Sequence, residues 1–332
     1  MRRMLAAALV LGAAVIACGA PARAADAPPA RAITFLVNYV FNGRHAPFFV
    51  GLDKGYYKEA GIDIHILPAS GSGFVISAVD GGKADYGMVD AGTLIDAVGK
   101  GAKLKAFGVY TDVVTIGLAA LKPYPEPESL KGATIASSLT DSIRVLLPII
   151  FDMRHLDPGS VHWETATPAA YATLLFGGKA DLVAAAIDSD VPALEKLAAK
   201  QGKSIHFSSF AAWGYDAFGY MLVTTDALLK ERPDEVRKFW AATARAVAYA
   251  IAHPEEAARD LVKYNPTLDY DTSLAQWRQT IKAIETAYAK RNGYGVATPE
   301  RLQRTIDFVA RVRKLARKPT PDDIFAMGFA AP

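Results

Sequence analysis

Gly81-Gly82-Lys83-Ala84-Asp85 recurs letter for letter as Gly177-Gly178-Lys179-Ala180-Asp181. In both places a short helix-like segment precedes the pentapeptide (residues 73–79 and 169–176). In both an apolar, strand-like run follows (residues 86–89 and 182–187). Glycine ends a helix at little cost, because it tolerates the positive φ that closes the last turn. Five common residues could recur by chance. Each copy, however, sits at the same place in its own series of strands and helices, which implies two halves of similar build.

Working outward, strand-like segments at residues 33–37, 62–67, 86–89 and 104–110 alternate with helical ones at 46–59, 73–79 and 93–98. A β-rich run follows at 114–121, broken by Pro123, Pro125 and Pro127. A second alternation then begins, with strands at 133–136, 161–164, 182–187, 204–207 and 218–224 and helices at 141–152, 169–176 and 191–200. This order predicts an α/β fold with largely parallel sheets. The last third reads as helices. Val236, Phe239, Trp240, Ala244, Val247 and Ile251 form one apolar stripe after Pro233, and Leu302, Ile306, Val309, Val312 and Leu315 another after Pro299. They are expected to buttress the first half.

The N-terminus bears on compartment. Arg2 and Arg3 precede an apolar run, and Ala22-Arg23-Ala24 has the small-x-small pattern of a signal-peptidase site, so residues 1–24 read as a signal peptide and the protein as periplasmic. Val15-Ile16-Ala17-Cys18 also resembles a lipobox, which would place a lipid on Cys18. That residue is the chain's single cysteine, so disulfides, thiolate catalysis and cysteine metal sites are not expected. The formal charge of +3 is carried by Arg2, Arg3 and Arg23, and residues 1–24 contain no acid. The remainder is near neutral and has no basic run to track phosphates, so nucleic acid is excluded as a partner. No later apolar stretch is long enough for a membrane span.

In open α/β sheets, ligands bind beyond the carboxyl ends of the strands. That rule selects Asn38, Tyr39 and Phe41 after the first strand, with His45 at the next helix start. It selects Ser70, Gly71, Ser72, Gly73 and Phe74 after the second, and Asp90 and Thr93 after the third. The second half offers Ser137, Ser138 and Thr140, then Asp188 beside Ser189. Trp213, Tyr215 and Asp216 approach the return crossing. Each has a plainer reading. Residues 70–73 can form a helix cap with a tight turn, or present free amides to a polar ligand. Ser137, Ser138, Thr140, Asp90 and Asp188 are ordinary N-cap types. His45 suits a structural histidine. Aromatics in polar loops favour a planar ring, with Trp213 or Tyr215 stacking on it.

Three stretches carry a family likeness. They are residues 38–61 with Gly55-Tyr56-Tyr57-Lys58-Glu59-Ala60-Gly61, residues 70–87, and Leu222-Val223-Thr224-Thr225 with the helix from Pro233 to Pro254. On these the chain resembles periplasmic solute-binding proteins of the thiamine-precursor-binding and sulfonate-binding type. The resemblance implies a two-lobed, type II periplasmic-binding-protein fold with two crossover strands. Lobe one would span residues 32–113 and 223–332, and lobe two residues 114–222. It implies a monomer that captures a small, planar aromatic or heterocyclic molecule and delivers it to the permease and ATPase subunits of an ABC importer. A sulfonate or other small anion is the alternative ligand, and a sensor without transport an alternative role. The same fold family includes a pyrimidine synthase that makes the thiamine precursor. Its cysteine-rich motif is missing here, so no enzyme, cofactor or metal is expected.

Overall fold

The computed structural model describes residues 31–330; the signal-peptide and lipobox expectations fall outside them. Among the described residues, ten strands form two separate five-stranded sheets. The first contains β1 (Arg31–Leu36), β2 (Ile62–Leu67), β3 (Tyr86–Asp90), β4 (Leu104–Val109) and β10 (Tyr220–Thr225), in the order β2-β1-β3-β10-β4. The second contains β5 (Ile116–Ala120), β6 (Thr134–Ser137), β7 (His162–Thr165), β8 (Leu182–Ala186) and β9 (His206–Ser209), in the order β7-β6-β8-β5-β9. Within each sheet one strand runs antiparallel to both its neighbours, β10 in the first and β5 in the second. These are the strands that enter from the other half. All five residues of β8 and of β3 are buried, because helices cover both faces, as parallel sheets require.

The repeated pentapeptide is the same joint built twice. Gly82 and Gly178 adopt left-handed φ values of 67° and 66°. The aspartate that follows then clips the strand beside its own, β1 in the first sheet and β6 in the second, through both backbone groups of one residue. Asp85 donates its N–H to Thr34 O (2.9 Å) and accepts from Thr34 N (2.8 Å). Asp181 does the same with Thr134 O (2.9 Å) and Thr134 N (2.9 Å).

The first-lobe helices are α1 (Ala46–Asp53), α2 (Tyr56–Glu59), α3 (Ser72–Asp80) and α4 (Ala91–Gly99). The single helix expected over 46–59 is split, because Gly55 takes φ 73° and turns the chain between α1 and α2. The break lets Tyr57 turn inward and bond Thr243 Oγ1 at 3.1 Å. The second lobe has α5 (Ile143–Met153), α6 (Tyr171–Phe176) and α7 (Asp190–Ala199).

The C-terminal helices are α8 (Asp226–Glu231), α9 (Pro233–Ala252), α10 (Pro254–Tyr264), α11 (Tyr270–Ile284), α12 (Ala287–Asn292), α13 (Pro299–Val312) and α14 (Pro321–Ile324). They reach further than the expected support of one lobe. α9 and α10 pack on α1, but α11 rests on both α7 and the turn Gly43–His45, and α13 on both α4 and α5. No helix among the described residues is long and apolar enough to cross a membrane.

Two connections link the sheets, residues 110–115 and 210–219, and they run side by side. Tyr110 N donates to Tyr220 O (2.8 Å) and Gly219 N to Thr111 O (3.2 Å). The boundary expected at Leu222 therefore lies too late. Tyr220–Thr225 already pairs with β3 and β4, so the return is complete before Tyr220. Arg301 of α13 joins both connections, donating to Asp112 O (2.6 Å) and Ala217 O (3.4 Å) while its guanidinium covers Phe218.

Candidate functional site

The carboxyl ends of the strands face one another across a cleft with two adjoining chambers. The inner one holds about 30 Å³ and lies against the connections. Asn38 and Tyr39 after β1, Gly71 and Ser72 at α3, Asp141 and Ser142 after β6, Ser189 and Asp190 after β8, Arg44 and Tyr220 all line it. The outer chamber, of about 260 Å³, shares Tyr39, Ala184, Ser189 and Asp190 and is otherwise mostly apolar, with Val40, Phe41, Pro168, Ala172, Leu194, Leu197 and Leu268.

The inner polar groups are held from behind. His45 is fully buried; its Nε2–H donates to Asn38 Oδ1 (3.0 Å) and its Nδ1 accepts from Asn42 N (3.3 Å). Burial, with the Arg44 charge beside it, holds this imidazole well below its usual pKa, hence neutral. Asn38 therefore turns its amide NH₂ away from His45. Arg44 forms a two-pronged, buried ion pair with Asp188, and its guanidinium lies 4.4 Å over the Tyr220 ring. Burial raises the Asp141 carboxyl to about 7; Ile143 N–H (3.2 Å) and the Tyr171 hydroxyl (3.1 Å) oppose that, while the charges of Asp190 and Asp90 add to it. Asp190 is also raised by burial, against donors at Ser189 Oγ (2.7 Å) and Ala186 N (2.9 Å), both on the same oxygen.

Around the chambers the lobes touch directly. Gly73 N donates to Thr140 O (3.0 Å) and Ser138 Oγ to Ser70 O (2.8 Å). Ser142 Oγ bonds Asp90 and Ser72 Oγ, and Gln276 of α11 bonds Ser189 O. This is a closed arrangement.

The residues expected from sequence divide into three groups. Asn38, Tyr39, Phe41, Gly71 and Ser72 line the cleft. Ser70, Gly73, Asp90, Ser138, Thr140 and Asp188 make lobe-to-lobe contacts instead. Ser137 is buried and accepts from Arg144 (2.6 Å). The others lie elsewhere. His45 is behind Asn38, and Phe74 points to solvent, 45% exposed. Thr93 is buried in α4, and its N–H is capped by Asp90 (2.9 Å). Stacking by Trp213 or Tyr215 is corrected. Trp213 is buried on Phe210 with its indole N–H on Pro125 O (2.9 Å), Tyr215 is buried near Gly92, and Asp216 faces solvent beside Arg301. The second connection folds inward, so its aromatics are core.

Sequence reasoning passed over Arg44, Asp141, Ser142, Asp190 and Tyr220. Asp141 and Asp190 each follow a residue it had marked, at the start of a helix, where aspartate is also an ordinary capping residue.

A family model described as NMT1/THI5 like matches residues 42–257. A 4-amino-5-hydroxymethyl-2-methylpyrimidine phosphate synthase of Saccharomyces cerevisiae is 26% identical over 280 residues, covering 79% of this chain and 82% of its own. Among solved structures, the ligand-binding component of an ABC-type import system from Staphylococcus aureus superposes with a TM-score of 0.67 at 13% identity, covering 91% of this chain and 99% of its own. The alkanesulfonate-binding protein of Xanthomonas axonopodis pv. citri, bound to MOPS, gives 0.67 at 14%, covering 90% and 100%. The fold is thus that of periplasmic binding proteins. The sequence relatives overturn the expectation that the chain is no enzyme. That expectation rested on a missing cysteine motif, whereas the likeness to proteins named as synthases extends over most of the chain.

Proposed function

This chain belongs to the NMT1/THI5 like family, and we propose that it captures a small molecule with a planar aromatic or heterocyclic ring in the cleft between its lobes. The observation that carries the reading is the pair of adjoining chambers, polar within and apolar outside, at the carboxyl ends of both sheets. A ligand touching Tyr39 and Ser72 from one lobe and Asp141 and Asp190 from the other would favour the closed state over any open one, by its differential affinity for the two. Phe41 and Tyr171 offer ring faces at the outer chamber. In this reading the protein acts outside the cytoplasm, as a monomer, and its closed lobes are recognised by the permease of an ABC importer.

The names of the sequence relatives favour a second reading, in which the same cleft carries out pyrimidine phosphate synthesis. Both readings require a ring between the lobes. A thermal-shift screen of the purified protein against ring compounds of each charge tests that requirement. A ligand at a hundred times its Kd adds about 2.7 kcal/mol of stability, which such a screen detects. Mass spectrometry of the recovered ligand separates the two: unchanged ligand supports capture, and an altered mass supports turnover. A screen in which no ring compound shifts the transition contradicts both.

A further inference from the structure

We infer that the ligand's deepest group is a protonated nitrogen, a primary ammonium or an amidinium, received in the inner chamber between Asp141 and Asp190. The inference rests on the reading of the cleft as a ligand site and specifies the charge of what enters it.

The first support is the balance of charge. Asp90, Asp141, Asp188 and Asp190 converge on this part of the cleft, and Arg44 is the cation among them. Arg44 is already engaged by Asp188 through both prongs of its guanidinium. Arg144, which faces Asp141, lies 4.1 Å over the Trp163 ring and donates to Ser137 and Thr165. Among the described residues an entering anion would therefore meet carboxylates without a free cation to offset them. A sulfonate suits this chamber poorly.

The second support is independent of the acids. Tyr39 is 9% exposed and Tyr220 3%, both line the chamber, and neither hydroxyl has a hydrogen-bond partner among the described residues. Asp190 accepts its two bonds on Oδ2, which leaves Oδ1 open toward the same space. These oxygens are not sealed off from solvent and an entering donor can reach them. Two phenol oxygens and a carboxylate oxygen can all accept, and a group with several N–H donors satisfies them together.

Size and neighbourhood agree. The inner chamber's volume of about 30 Å³ exceeds the ~10–15 Å³ that a single water needs on the same measure, so a small ammonium or amidinium head can enter it. The apolar outer chamber adjoins it, so the group fits as the head of a larger apolar body. Burial pushes both carboxyls up, meaning that two negative charges are disfavoured there and a cation relieves the conflict. Among the described residues these four aspartates do not come close enough together to hold a metal ion.

The test is calorimetric titration of the purified protein with benzylamine, benzamidine, benzyl alcohol and benzenesulfonate, on the native chain, Asp190→Asn and Asp141→Asn. Both variants are near-isosteric and remove a buried charge, so both should stay folded; circular dichroism checks this. We expect the two cations to bind at least tenfold more tightly than the alcohol, and Asp190→Asn to lose at least tenfold. The groups facing Asp141 are Asp90, Asp190, Tyr39, Tyr171 and Arg144, and those facing Asp190 are also Arg44 and Asp188. With Asp141 titrating near 7, proton competition should weaken benzamidine binding progressively below that pH, toward tenfold per unit, in the native chain and not in Asp141→Asn. Tighter binding of benzenesulfonate than of benzylamine overturns the inference and leaves the ring-binding reading standing. Native affinity for cations in a folded Asp190→Asn also overturns it. If none of the four binds, the ring-binding reading fails and this inference with it.

Discussion

The two lobes share a joint and differ in what they bring to the cleft. Asp85 and Asp181 clip equivalent strands through equivalent bonds, so the framework is repeated. Their loops diverge. Lobe two supplies Asp141, Asp188 and Asp190, while lobe one supplies Arg44, Asn38 and Tyr39 with a single acid, Asp90, already bonded to Ser142. Charge of one sign is thus concentrated on one face, and the groups that answer it sit on the other. The lesson is that a repeated scaffold can hold its pieces still while the strand-end loops assign complementary roles to the two faces.

The most forceful way to break that complementarity is at the buried ion pair of Arg44 and Asp188. Arg44→Met leaves Asp188 charged and unpaired, and should cost about 3–5 kcal/mol in urea denaturation. The double variant Arg44→Met with Asp188→Leu should recover most of this, because an apolar pair of similar volume has no uncompensated charge. A single variant costing under about 1 kcal/mol would mean that the lobes do not depend on each other here.

The acidic face can be probed by pH. Asp141 has its folded pKa raised from 3.8 to about 7, so the native state holds a proton that the unfolded state releases. Its contribution is present below about pH 4 and is lost as pH rises toward 7. Asp141→Asn has no such loss. Its stability relative to the native chain should therefore grow with pH across that window, by up to about 1.4 kcal/mol per unit, and level off above it. A constant difference between pH 4 and 7 would contradict the assigned burial.

The repeated joint gives a smaller effect. Asp85 also pairs with Arg31, which bonds Glu235 of α9 in turn, whereas Asp181 has its clip alone among the described residues. Asp181→Ala should cost about 1 kcal/mol and Asp85→Ala more, since it also leaves Arg31 with one partner fewer. Equal costs would show that the two joints carry equal load. The smallest effect is expected at Phe74. It is exposed and outside the cleft, so Phe74→Ala should change stability by less than about 0.5 kcal/mol and leave ligand binding unaltered.

How far this could be read from sequence follows the same division. The strands were legible because each is a short apolar run bounded by turn residues, and the joint because its letters repeat. The break at Gly55 was not, since a glycine within a helical pattern does not declare its φ. Nor were α11, whose apolar positions are interrupted by Gln276 and Thr280, and α12, which Thr286 caps. These residues face the second lobe, the turn at Gly43 or the first connection through hydrogen bonds. In the cleft, the strand-end rule reached Tyr39 and Ser72 because position alone selects them. It could not separate Asp141 and Asp190 from caps, nor foresee that Trp213 would turn into the core. Those distinctions depend on which loop faces which across the gap.

The claim that two faces are drawn together by one guest is tested most directly at the rim, where Phe74 and Leu139 are exposed on opposite lobes next to the Gly73–Thr140 contact. Pyrene attached at Phe74→Cys and Leu139→Cys, in a chain whose Cys18 is replaced by serine, gives excimer emission when the rims meet. The excimer-to-monomer ratio should rise on saturation with benzamidine, and the rise should vanish in Asp190→Asn. A ratio that stays constant while calorimetry reports full occupancy would contradict closure on the ligand.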